Sequence, residues 1–236
     1  PEVLGHKEFF PYEKYRPEQE TVIRNIFEST ILGKNVVLIA QNGTGKTIMA
    51  LSATLPVAKK LAQRKIVFLA RTYTQNERVI QEAKEITKHF AKNNIDLTIG
   101  AISIRGRNQM CPNKTMQRLE LPPQESMSVC ANLRRNKKCT FFNKLVRKKN
   151  KENLEEELKL LALSPLSSQE LLHYAEQKGY CPYFLSKLLI EHVDVVVCNY
   201  QWIFNPFIRE NFLEFLGCQL SDCIIIMDEC HNLPEM

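Results

Sequence analysis

Two clusters of residues, far apart in the chain, have the types and spacing to handle a nucleoside triphosphate. The first is "AQNGTGKT", Ala40 to Thr47, which follows the apolar run "VVLIA" at 36–40. A buried strand is expected to run straight into this polar loop. A loop that wraps phosphates must turn its N–H groups inward, and Gly43 and Gly45 permit dihedrals and an approach that a Cβ would block. Gln41, Asn42, Gly43, Thr44 and Gly45 would form the cradle. Lys46 would neutralise the β- and γ-phosphates, and the Thr47 hydroxyl would ligate Mg2+. A helix starting here points its positive end at the anion. The second cluster is "IIIMDECH" (224–231), an apolar run ending in two carboxylates. Asp228, at the carboxyl end of a strand, suits Mg2+ held through water. Glu229 is then placed to take a proton from the attacking water, which favours hydrolysis over transfer to another acceptor. His231 is expected to pack under the sheet edge.

These two clusters require a sheet to hold them. The runs at 36–40, 65–70, 96–102, 193–198 and 222–227 each suit a strand buried on both faces. Helical spacing appears between them. Ile48, Leu51, Leu55, Ala58 and Leu61 mark a helix over 47–63, with Pro56 predicting a kink or break. Val79, Ile80, Ala83, Ile86 and Phe90 mark another over 75–90, and Val22, Ile23, Ile26 and Phe27 a leading helix over 18–29. Strands alternating with helices predict an α/β fold with a central parallel sheet and right-handed crossovers.

The alternation breaks after Ile102, and about ninety residues pass before the next predicted strand, too many for a plain connection. Ser167 or Ser168 is positioned to cap a helix from Gln169, with Gly179 ending it. Charge is concentrated in this stretch. Between Ile104 and Lys151 thirteen basic residues face only Glu120 and Glu125, a net +11, which leaves −5 for the rest of a chain of formal charge +6. A basic middle on a mildly acidic body suits either a polyanion partner or a solvated loop. Four of the eight cysteines, Cys111, Cys130, Cys139 and Cys181, lie in or beside it. Thiols in such a pattern point to metal rather than disulfides, and both zinc and an iron–sulfur cluster use such ligands. Cys198, Cys218, Cys223 and Cys230 sit in or near apolar runs, where buried free cysteine is expected. No apolar run approaches the ~20 residues of a membrane span. The N-terminus does not read as a signal peptide, so a cytosolic or nuclear compartment is the expectation.

Taken in order, "FFPYEKYRPEQ" (9–19), "ARTYTQ" (70–75), "SIRGRNQMC" (103–111), "GYCPYFL" (179–185), "VVVCNYQWIFNP" (195–206) and "IIIMDECHNL" (224–233) resemble the XPD/FANCJ/DinG group of superfamily 2 iron–sulfur DNA helicases. The resemblance touches the whole chain. It implies a RecA-like P-loop domain over 1–104 and 183–236, interrupted by an iron–sulfur insertion over 105–182. By the same resemblance, Gln19 is the adenine-reading glutamine, with Tyr12 and Arg16 nearby, and ATP and Mg2+ are the cofactors. Arg71 and Thr72 match a segment that grips the single-strand backbone. Arg105 matches an arginine that braces the cluster or meets DNA, and Asn199 and Tyr200 take a structural or strand-guiding place. Cys111, Cys130, Cys139 and Cys181 match the ligands of a [4Fe–4S] cluster.

The implied activity is ATP-driven 5′→3′ helicase action on single-stranded DNA and duplex junctions, in DNA repair, with a DEAH-like box. The compartment would be cytoplasmic in a prokaryote and nuclear in a eukaryote. Two departures are small: Ala40 replaces the first loop glycine, and Cys230 stands where alanine is usual. A chain beginning at Pro1 and stopping at "HNLPEM" is expected to be part of a longer one that carries the second motor domain. A DNA-binding module with a redox-sensing cluster is the competing expectation.

Overall fold

The computed structural model describes residues 5–60, 64–147 and 151–235. Five parallel strands form one sheet in the order β3–β2–β4–β1–β5. They are β1 (Lys65–Ala70), β2 (Ala101–Ser103), β3 (Pro165–Leu166), β4 (Val195–Asn199) and β5 (Cys223–Met227). In the register, Phe68 of β1 stands between Val197 of β4 and Ile226 of β5. Helices α1 (Gln19–Ile31), α2 (Lys46–Lys60) and α3 (Tyr73–Lys92) accompany the first half. The long connection after β2 holds α4 (Arg107–Met110), α5 (Lys114–Arg118), α6 (Pro123–Arg135), α7 (Thr140–Leu145), α8 (Lys151–Leu161), α9 (Ser168–Lys178) and α10 (Pro182–Ile190). After β4 come α11 (Gln201–Phe204) and α12 (Pro206–Leu216).

Alternating side chains divide the core between the two sheet faces. Ile66, Phe68, Val195 and Val197 pack with Ile23 of α1, Leu51 and Leu55 of α2, and Ile80 and Ile86 of α3. Val67, Leu69, Val196 and Cys198 face the other way, into a cluster with Leu145, Leu158, Leu171, Leu185 and Phe212. The apolar residues of the long connection therefore bury themselves on the sheet. A polar segment gains a core by sharing one, each buried leucine contributing about 1.5–3 kcal/mol.

The predicted first strand is the main correction. Residues 36–40 form no strand; Val37 and Ile39 are 81% and 94% exposed, and only Leu38 reaches the core. A strand exists by its ladder, and β5 ends the sheet with no strand paired to its outer side among the described residues. β5 is accordingly not buried on both faces, since Ile225 and Met227 are partly exposed. The strand expected over 96–102 is confined to Ala101–Ser103. Gly100 is committed elsewhere, its carbonyl accepting from the Asp194 and Val195 amides and its N–H donating to Asp194 Oδ2 at 2.8 Å.

Pro56 does not break α2, which continues to Lys60. The residues from Leu51 to Val57 are buried, and tertiary packing outweighs the missing N–H. The expected 61–63 end of that helix, Lys148 and Lys149 lie outside the described residues. Ser167 caps α9 in a box with Glu170, and Gly179 closes it with a left-handed φ of 67°. Among the described residues no helix is long and apolar enough to cross a membrane.

Candidate nucleotide and thiol sites

The loop from Gln41 to Gly45 leads into α2, whose first residues are Lys46 and Thr47. Gly43 and Gly45 both adopt left-handed backbone, φ 82° and 86°. At Gly45 a Cβ would come within 2.6 Å of Gln19 Nε2, so this glycine is what lets Gln19 lie against the loop. Gln19 is 5% exposed and donates from Nε2 to the Thr44 carbonyl at 3.1 Å. Its Oε1 accepts from the Arg16 amide at 3.1 Å, and the Arg16 guanidinium donates to the Gly43 carbonyl. The Lys46 ammonium reaches the carbonyls of Ala40 and Gln41 and Asn42 Oδ1, at 3.2–3.3 Å. The Thr44 hydroxyl closes the loop on the Gln41 carbonyl at 2.9 Å. Thr47 is half-buried behind it.

Asp228 follows β5 and is half-buried; its amide donates to the Leu69 carbonyl at 2.9 Å, and Tyr200 donates its phenol to the Asp228 carbonyl. Burial, then the neighbouring Glu229, push the Asp228 carboxyl above the usual carboxylate range, while the Lys46 ammonium pulls it back. That opposing pull means Lys46 and Asp228 share one side of the molecule, although 182 positions separate them in the sequence. Glu229 sits in left-handed backbone, φ 54°, which turns the chain sharply after Asp228. Asn232 holds that turn by donating from its amide and from Nδ2 to the Glu229 carbonyl, both at 3.0 Å.

Arg71 donates to Asn232 Oδ1 at 3.2 Å, which joins the end of β1 to the Asp-Glu turn. Thr72 is the N-cap of α3 and exchanges bonds with Gln75, so its hydroxyl is already engaged. Arg105 pairs with Glu77 at 3.3 Å and lies 4.7 Å over the Tyr73 ring, away from the thiol cavity described next. His231 and Cys230 are exposed, correcting the expectation that they pack inside; the chain has already turned outward at Glu229. Cys198 is fully buried, whereas Cys218 and Cys223 are only half-buried beside the sheet edge.

Cys111, Cys130, Cys139 and Cys181 line one cavity together with Arg107, Arg134, Phe142, Tyr183 and Phe184. Three of the sulfur-bearing residues sit at helix boundaries: Cys111 ends α4, Cys139 precedes α7 and Cys181 precedes α10. Yet among the described residues no three of His, Cys, Asp or Glu are drawn together tightly enough to hold a metal ion. Burial raises the Cys111 thiol and pushes Cys181 up to about 11. Arg107 lies 4.8 Å over the Tyr183 ring, and Arg134 4.7 Å over Phe184. Arg107 Nη1 and Arg134 Nε are buried without a hydrogen-bond partner. Two cations with unspent donors beside four thiols make a lining fit for an anionic thiolate group. Neither arginine was singled out in the sequence, although Arg107 is four before Cys111 and Arg134 four after Cys130 on α6, the helical spacing that shares a face.

The sequence profile of the DEAD_2 family matches residues 68–236, and that of the DEAD/DEAH box helicases matches 16–117. Among curated proteins, the chain is similar to the general transcription and DNA repair factor IIH helicase subunit XPD/RAD3 of Saccharomyces cerevisiae. That match is 26% identical and covers 96% of this chain and 30% of the relative. A regulator of telomere elongation helicase 1 homolog from Anopheles gambiae is 23% identical over 96% of this chain and 25% of its own length. The chain thus spans less than a third of these relatives. Among solved structures, an XPD helicase chain matches with a TM-score of 0.58 at 22% identity, over 95% of this chain and 34% of that one. A truncated XPD chain gives 0.52 at 20%, over 91% and 53%. These two share the α/β fold with its parallel sheet.

Proposed function

We propose, from the premise that the chain belongs to the DEAD_2 family, that it is the ATP-binding motor portion of a DNA helicase acting in DNA repair. The observation that carries this is that Lys46, at the start of α2, lies near enough to Asp228 for its charge to act on that carboxyl, with Glu229 beside it. The amides of residues 41–47 would seat the triphosphate, with Lys46 exchanging its loop carbonyls for the β- and γ-phosphate oxygens. Gln19, held against the loop, would read adenine. Thr47 and Asp228 are the side chains that would hold Mg2+, which when bound neutralises charge on the phosphate oxygens. Glu229 would take the proton of the attacking water. Arg71 and Thr72 would meet the single-strand backbone; the Arg71–Asn232–Glu229 contacts then offer a route by which strand binding adjusts the catalytic turn. Movement 5′→3′ and action at duplex junctions follow the family resemblance and require the remaining motor domain in a longer chain.

In this reading residues 105–182 form the insertion, and Cys111, Cys130, Cys139 and Cys181 hold a [4Fe–4S] cluster that, when bound, staples α4, α6, α7 and α10. The four cysteines lining one cavity would supply the thiolate ligands, and the family resemblance favours iron–sulfur over zinc. Arg107 and Arg134 would offset its negative charge. In the full-length helicase, Lys46→Ala is expected to abolish ATP hydrolysis and leave single-strand binding intact; retained hydrolysis overturns the role of the loop. Anaerobic purification followed by metal analysis is expected to find iron, with loss of iron in Cys181→Ser. Stoichiometric zinc would replace the cluster reading with a zinc site.

A further inference from the structure

We propose that Cys218 and Cys223 form a dithiol modification site, which a low-molecular-weight disulfide such as oxidised glutathione converts into an intramolecular Cys218–Cys223 disulfide. The two sulfurs lie 3.6 Å apart. Cys218 follows Gly217, whose left-handed φ of 72° ends α12, and Cys223 opens β5. Between them the 3-10 turn Leu220–Asp222, fastened by Gln219 and Asp222, folds residues five apart back onto each other. Cys223 Sγ also donates to the Gln219 carbonyl at 3.5 Å. Gln219, Ser221 and Asp222 are exposed, so a small disulfide can approach and the turn can draw the sulfurs to the ~2.05 Å of a bond.

A cation stands beside the two sulfurs. The Lys65 ammonium, held by the carbonyls of Ile190, Glu191 and Val193 at 2.6–3.0 Å, is close enough for both cysteines to act on its charge. None of the other cysteines competes for place: four line the separate cavity, Cys198 is enclosed, and Cys230 lies past the opposite end of β5. The site is independent of the nucleotide and cluster readings.

Cys223 Sγ is engaged as a donor to the Gln219 carbonyl, and burial pushes its thiol up, so Cys223 keeps its proton at first and Cys218 attacks. The Cys218 thiolate attacks one sulfur of glutathione disulfide; the oxidant's S–S bond breaks and one glutathione leaves as thiolate. Cys223 then loses its proton to water and attacks the Cys218 sulfur, releasing the second glutathione. Two protein thiols are oxidised and one glutathione disulfide is reduced to two glutathiones.

The test is differential alkylation with mass mapping after graded exposure of the chain to oxidised glutathione, folded and in urea. Protection of Cys218 and Cys223 together, reversed by reductant and reached at lower oxidant in the folded chain, is the expected result. Cys223→Ser should trap glutathione on Cys218, and Cys218→Ser should leave Cys223 open to alkylation. Pairing that is no easier in the folded chain than in urea, or pairing of either sulfur with Cys230, overturns the proposal.

Discussion

At Asp228 the fold partly withdraws from water a carboxylate that the proposed chemistry needs charged. Its pKa is raised by burial and by Glu229. Between the ordinary carboxylate pKa and this raised value, the folded chain therefore holds more protons than the unfolded one. Stability then falls as pH rises through that window. Asp228→Asn is expected to raise the melting temperature at neutral pH and flatten its dependence on pH, measured by thermal denaturation from pH 4 to 8, an interval of about four units spanning carboxylate titration. The same variant is expected to lose ATP hydrolysis in the longer chain. A melting temperature that drops at neutral pH removes the argument that this carboxylate is held at a cost. At this scale Lys46, Asp228 and Glu229 were legible in the sequence because each belongs to a short motif. Arg107, Arg134 and Asn232 were not, because Tyr183, Phe184 and Arg71, which they also meet, come from distant segments.

Elements are fastened together at a few backbone contacts, and Gly100 is the tightest of these. A Cβ there would lie 2.2 Å from the Ala162 carbonyl oxygen and 3.2 Å from Val193 Cα, all backbone with no room to give. Asp194, which accepts from the Gly100 amide, also pairs with Lys59 of α2 at 2.7 Å, so α2, β2, β4 and the end of α8 converge there. Gly100→Ala is expected to destabilise the chain by about 1–3 kcal/mol or more, as overpacking of a closed site does. Chemical denaturation measures it, and an unchanged midpoint would mean the backbones separate freely. Helix limits were readable here from capping chemistry, as at Ser167 and Gly179. The run at 36–40 misled because apolar character states that a segment can pair, while pairing depends on a neighbour the segment does not contain.

Across the whole molecule, charge is sorted by depth. Arg105, Arg107 and Arg134 are half-buried against rings and thiols, whereas Lys114, Arg118, Arg135, Lys137, Lys138, Lys144 and Arg147 stand exposed on the insertion. An exposed basic surface carried on the sheet suits a nucleic-acid backbone. Replacing Arg135 and Lys138 with glutamate is expected to weaken single-strand binding and reduce the salt slope by about 1.4, at about 0.7 per lost phosphate contact. Binding measured across a salt series decides this, and an unchanged slope would assign these charges to solvation.

The sequence by itself determined the residue types of the 41–47 loop and of the carboxylate pair, and the alternation that yields a parallel sheet. Both are local: a glycine beside a lysine, or apolar residues two or three to four apart, act over a few bonds. The tertiary structure alone decided that β5 forms the edge, that the insertion shares the sheet's core, and which arginines face the thiols. It also brought Cys218 to Cys223. Such outcomes depend on which segments reach the same volume, a competition settled by packing the whole chain at once.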